Sequence, residues 1–196
     1  MQNDPDTERL ARAGRGGDPA GFAAAWRRVA PAVFAWSSMH LRGPLRQRVD
    51  PEDLLQEIAC RAWSAFDTWD GELGVFRGWV FGIANNILRE VLRSLAAERE
   101  AQGDRRLDTE RWAELPGSAT SVSRAVVRDE GLRDLVRRTS ELPDDERRLL
   151  ILRGLEGLSH QEVSEILSIS SDAVAKRWQR LCERLRDHPR WNDLLA

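Results

Sequence analysis

Apolar residues recur at helical spacing along nearly the whole chain, and only clusters rich in Gly, Pro, Asp and Ser interrupt them. The breakers fall at Gly14-Arg15-Gly16-Gly17-Asp18-Pro19, Gly43-Pro44, Asp70-Gly71 and Pro116-Gly117-Ser118. No convincing period-two alternation marks a strand between them. The spacing predicts helices at about 18–42, 51–66, 75–100, 122–140, 144–155, 159–167 and 171–187, so the expected fold class is all-α. From about Glu98 to Ser123 the pattern weakens into mixed charge and then Leu115-Pro116-Gly117-Ser118, which reads as a linker. Two small helical domains follow, 1–97 and 122–196, joined by residues 98–121. Trp112 stands inside that linker, either docking it on a neighbour or half exposed.

Charge narrows the function classes. With 30 basic and 32 acidic residues the formal net charge is −2, so the chain carries no uniformly basic coat, and any nucleic-acid surface must be local. Lys176 is the only lysine; a bias in codon composition accounts for that. No apolar run reaches about 18 residues, and the start lacks the basic and apolar regions of a signal peptide, so the expectation is a cytoplasmic protein without a membrane segment. Cys60 and Cys182 lie in separate helical patterns with no companion histidines at ligand spacing. They read as buried thiols, with no metal and no cofactor expected.

The carboxyl-terminal part carries a motif. Ser159-His160-Gln161-Glu162 has the form of a capping box and should start a helix with Val163, Ile166 and Leu167 inside. Ser168-Ile169-Ser170 makes a short turn, after which Val174, Trp178, Leu181 and Leu185 continue an apolar stripe. This is a helix-turn-helix pattern, whose second helix enters the major groove. Ser171, Asp172, Ala175 and Lys176 are the candidates for base edges, with Arg177 and Arg180 beside them for phosphates. From Ser171 to Arg186 there are five basic side chains against two acidic ones, the kind of local cation supply that phosphates require.

The segment Asp50 to Arg93 reads as a helical hairpin. Asp50 can cap a helix with Pro51 at its first position and Glu52 and Asp53 complementing the dipole. Leu55, Ile58, Ala59, Ala62, Trp63 and Phe66 form the buried stripe, leaving Glu52, Asp53, Gln56 and Glu57 on an outer acidic edge. After the joint Asp67 to Gly74, with Trp69 and Asp70, a second stripe runs through Phe76, Trp79, Val80, Ile83, Ile87 and Val91. Arg77, Asn86, Arg89 and Arg93 fall on or beside the other face. Arginines for phosphates, asparagine for base edges and aromatics for stacking suit exposed, unpaired bases; the aromatics could equally be core.

These blocks together resemble a bacterial RNA polymerase sigma factor of the extracytoplasmic-function (ECF) group. Asp50 to Glu57 is similar to that family's segment for the β′ coiled coil, Phe76 to Asn86 to its minus-ten segment, and Leu142 through Leu185 to its minus-thirty-five domain. The stretch Asp18 to Leu41 fits the family's first helix, packed under the hairpin. The resemblance implies a non-enzymatic polymerase subunit that directs core enzyme to promoters and helps melt them. Asp53, Gln56 and Glu57 would dock on β′. Trp69, Asp70, Arg77, Trp79, Asn86, Arg89 and Arg93 would hold the minus-ten strand. Ser171, Asp172, Ala175, Lys176, Arg177 and Arg180 would read the minus-thirty-five duplex, with the second domain docked on the β flap. Many members are held by an anti-sigma factor. The chain departs from the family pattern at Gly82 and Asn85, where a basic residue is common, and at Glu90, Ser168, Ala173 and Lys176. Two other readings compete: a stand-alone helix-turn-helix regulator, which would bind a palindromic duplex without polymerase, and a helical adaptor with no salt-dependent DNA binding.

Overall fold

A computed structural model describes residues 5–14, 16–72, 74–98 and 113–195, and among them every regular element is helical. In chain order these are α1 (Pro5–Ala13), α2 (Pro19–His40), α3 (Pro44–Arg48), α4 (Pro51–Ser64), a 3₁₀ turn (Phe66–Thr68) and α5 (Phe76–Glu98). The second half holds α6 (Gly117–Arg128), α7 (Glu130–Ser140), α8 (Asp144–Leu149), which continues as a π-helical turn (Leu150–Leu155), α9 (His160–Leu167), α10 (Ser171–Leu185) and α11 (Trp191–Leu195).

Local chemistry sets most of these boundaries. Asp18 accepts from the amides of Ala20 and Gly21, both at 3.0 Å, and Pro19 occupies the first turn of α2, so the breaker cluster ends in a built helix start. α1 crosses that start closely: a Cβ on Gly21 would lie 2.3 Å from the Gly14 Cα. Asp129 ends α6 and caps α7 through the Leu132 amide at 2.8 Å, which divides the expected helix 122–140 in two. Ser168 adopts φ 55, ψ 42 at the end of α9, and Ser170 caps α10 through the Ala173 amide at 3.2 Å.

α2 is the centre of the molecule. It packs against α1, α4 and α5 of the first half and against α6, α7, α11 and the π-helical turn of the second. From Val29 to Met39 no residue is exposed, and Trp26 and Trp36 are fully buried. Each such side chain removes a large apolar area from water, worth about 2–3 kcal/mol. The two halves therefore share one core. The linker expected at 98–121 is shorter at its carboxyl end, because Gly117 to Ser121 already belong to α6, with Ala119 buried. α6 is helical that early because its apolar positions Ala119, Val122 and Val126 follow α2. Trp112 lies outside the described residues.

Candidate polymerase edge and nucleic-acid surfaces

α4 begins at Pro51, as expected, but Asp50 makes no side-chain cap bond and pairs instead with Arg46 at 3.2 Å. Glu52 is exposed, and Asp53 and Gln56 are half-buried. Desolvation, reinforced by Asp50 and Glu52, raises the Asp53 carboxyl above its ordinary value. Glu57 departs from the expectation. It is fully buried and accepts from Arg61 Nε at 2.7 Å, so it is not part of an outer edge. α4 packs on α2, α5 and α6 at once, which widens its buried arc beyond one stripe and takes in position 57.

The aromatic joint is core. Trp69 is 1% exposed and meets Phe76 edge-on at 5.5 Å, while Phe66 reaches Phe22 at 5.1 Å and Phe76 at 6.0 Å. Trp69 is thus not a stacking platform, because the joint closes the hydrophobic cluster between α2, α4 and α5. Asp70 is half-buried and accepts from the Glu72 amide at 3.0 Å. α1, which the sequence pattern did not show, reaches this corner. Glu8 Oε1 accepts from the Phe76 amide at 2.8 Å, capping α5 from another helix, and Arg12 donates to the Gly71 carbonyl at 3.2 Å. Burial raises the Glu8 carboxyl above its ordinary value in spite of that amide bond.

On α5, Asn86, Arg89 and Arg93 are exposed. Arg89 donates to Asn86 Oδ1 at 2.8 Å and Arg93 to the Arg89 carbonyl at 3.3 Å, so the three form one polar strip along the helix. Trp79 is half-buried beside Phe76, 5.6 Å away. Arg77 is a third correction. It is 9% exposed and donates to the carbonyls of Gly154 (3.1 Å), Leu155 (2.9 Å) and Leu194 (2.6 Å). Burial pushes its guanidinium down to about 10. Arg77, Phe81 and Asn85 lie at i, i+4 and i+8 on a face turned toward the second half. Asn85 there comes within 3.4 Å of Glu156. Phe81, apolar but off the main stripe and 2% exposed, was the sequence signal for this face.

The helix-turn-helix forms where the pattern predicts, but of the side chains expected inside α9 Val163 is buried and Leu167 half-buried, whereas Ile166 is 48% exposed. Ser159 and Glu162 form the reciprocal capping box. Val174, Leu181 and Leu185 are buried, while Trp178 is half-buried against Trp191 of α11 at 6.3 Å. Asp172, Lys176, Arg177 and Arg180 are exposed on α10, and Ser171 and Ala175 half-buried at its amino-terminal end. Arg177 lies 3.9 Å from Asp145, a loose contact at an exposed site that a phosphate could replace. Among the described residues no group of three acidic, His or Cys side chains could hold a metal ion, and no helix is long and apolar enough to cross a membrane.

Residues 25–98 match the family described as Sigma-70 region 2, and residues 132–185 the family described as Sigma-70, region 4. The chain is 30% identical over 139 residues to the ECF RNA polymerase sigma-E factor of Escherichia coli K12, covering 69% of this chain and 72% of that protein. It belongs to the ECF sigma factors. The sigma-E factor of Salmonella typhi is similar to it to the same extent, and the sigma factor NccH of Alcaligenes xylosoxydans xylosoxydans is 28% identical over 137 residues, covering 69% of this chain and 71% of that protein. No solved structure matches the chain.

As a sigma factor the protein binds core RNA polymerase and promoter DNA and directs promoter-specific initiation. Region 2 of this sigma factor spans α2 to α5, and region 4 spans α7 to α10. α1, α6 and α11 lie outside both matched ranges, yet α1 caps α5 and both α6 and α11 pack on α2.

Proposed function

We propose that the sigma factor divides its work among three surfaces. Asp53 and Gln56, with Glu52 beside them, form the handle for the coiled coil of β′. Asn86, Arg89 and Arg93, with Trp79 and Asp70 toward the joint, receive the non-template strand of the minus-ten element. Ser171, Asp172, Ala175 and Lys176 face base edges of the upstream duplex while Arg177 and Arg180 contact its phosphates, the domain being seated on the β flap. The protein then acts where its polymerase acts, in the cytoplasm.

The observation that supports this division most is the open strip Asn86-Arg89-Arg93 on α5, neighbour in the same hairpin to the α4 edge on which Glu52 is exposed and Asp53 and Gln56 are half-buried. Cations and an amide on one helix suit an unpaired strand, and carboxylates on the next suit a protein partner. Modest affinities at the three surfaces combine once all are tethered to one polymerase. Transcription by core polymerase on genomic fragments, with and without the protein, tests the reading. Redirected initiation is expected, and unchanged start sites would end it.

A further inference from the structure

The joint between α4 and α5 is held from outside the hairpin. Val75, the residue before α5, has no side-chain acceptor, so the first amides of α5 need a partner from elsewhere. Glu8 of α1 supplies one, its Oε1 accepting from the Phe76 amide at 2.8 Å. One turn further along α1, Arg12 donates to the Gly71 carbonyl at 3.2 Å and lies 3.5 Å from Glu72 Oε1. Gly71 admits that approach because it has no side chain: a Cβ there would stand 2.9 Å from Arg12 Nε and 3.2 Å from the ring of the buried Trp69. Glu8 and Arg12 share one face of α1 at i and i+4, and both end on the joint. Buried Thr7 and Ala11, with the close crossing of Gly14 over Gly21, fix α1 on the molecule.

We propose that Glu8 and Arg12 are positioning residues for capture of the minus-ten strand, α1 acting as a strut that fixes the joint in the shape that receives it. The proposal rests on the three-surface reading above, in which the strand lies along α5 and meets the joint at Asp70. Asp70 is half-buried there, while Glu72 and Gly74 are exposed. A loop with two glycines loses much backbone freedom on ordering, and ordering that waits for the ligand is subtracted from its affinity. In this protein the ordering is done in advance. Trp69 is buried at one end of the joint, the Phe76 amide is capped at the other, and Arg12 holds the Gly71 carbonyl between them. α1 precedes residues 25–98, the range of the region 2 match, so strand capture by region 2 depends on side chains outside it.

The test uses the full chain assembled with core polymerase and a single-stranded non-template oligonucleotide taken from upstream of a start site that the transcription assay above maps. It follows association with core, binding of the oligonucleotide and the salt dependence of that binding. Glu8→Ala should weaken strand binding about tenfold, the effect of losing one hydrogen bond to a charged group, with core association unchanged. Glu8→Gln keeps an oxygen that can accept from Phe76 and should restore most of the binding. Arg12→Ala should weaken binding to a similar extent with the salt slope as before, because a positioning arginine neutralises no phosphate. The Arg12 side chain is 52% exposed, so this variant threatens no core and keeps the test open if Glu8→Ala fails to fold. Unchanged strand binding in a folded alanine variant overturns the strut. So does a slope lowered by about 0.7 in Arg12→Ala, the value for one phosphate of a single strand. Failure of Glu8→Gln to restore binding, or a loss of core association in step with strand binding, overturns it as well. All of these leave the sigma reading intact, whereas a wild-type holoenzyme that binds no strand removes the three-surface reading and the strut with it.

Discussion

Arg61 Nη1 on α4 lies 2.8 Å from Glu90 Oε2 on α5. The same guanidinium holds the buried Glu57 at 2.7 Å, so one side chain ties the proposed polymerase handle to the proposed strand-binding helix. Arg61→Ala takes a charged partner from a carboxylate with no solvent exposure and should cost about 3 kcal/mol. Glu90→Ala, at a half-exposed group, should cost about 1 kcal/mol or less. Urea unfolding of the two variants checks the ordering, and equal losses would contradict it.

Asp53 and Glu57 separate docking from folding. Asp53→Lys should leave the helical signal unchanged and weaken association with core polymerase at least about tenfold, the weight of one interfacial charge. Glu57→Lys should fail at the folding stage, since it places a cation where a carboxylate is buried. Undiminished core binding by folded Asp53→Lys would remove α4 as the handle.

Ser168 pays for its left-handed backbone, because its Cβ crowds the following carbonyl. Ser168→Gly should stabilise the protein by about 1 kcal/mol, read as a rise in melting temperature with DNA binding unchanged. A fall in melting temperature would mean that the serine side chain matters more than the φ of 55°.

Asp134 accepts from Arg138 at 2.8 Å, from Arg137 and from His188 at 3.3 Å. The Arg138 bond is the largest influence, and the set holds the carboxyl at about 2. The folded value lies below the ordinary carboxylate value of about 4. Its stabilisation is therefore complete above that value and is lost as pH falls toward 2. The stability difference between wild type and Asp134→Asn should shrink across that acid window in urea titrations, and a constant difference would refute the coupling.

Lys176 and Arg180 are exposed on α10. If each neutralises a phosphate, its replacement by Ala should lower the slope of log affinity against log salt by about 0.9 in the polymerase-bound factor. Ser171→Ala and Asp172→Ala should change base preference with little effect on that slope.

The hairpin α4–α5 and the pair α9–α10 were legible because each has a long apolar stripe and a capping signal. α1 was not, since Leu10 is the only large apolar side chain in it, and its contribution is a polar one from Glu8 to a distant amide. α11 has five residues, too few to show a period, although Trp191 in it is buried. Glu57, Trp69 and Arg77 were misplaced for one shared reason. A single helix pattern shows which side chains prefer water, but burial also depends on how many neighbours a helix has, and α4, the joint and α5 each meet more than one.

α2 has almost no side that belongs to water. A chain cut between the matched regions would leave each fragment with a bare apolar flank, so fragments prepared separately should aggregate or need a solubilising partner. The same geometry means that a substitution at Trp36 or Val33 is felt by both regions at once, and a loss of promoter recognition caused there cannot be assigned to either region alone.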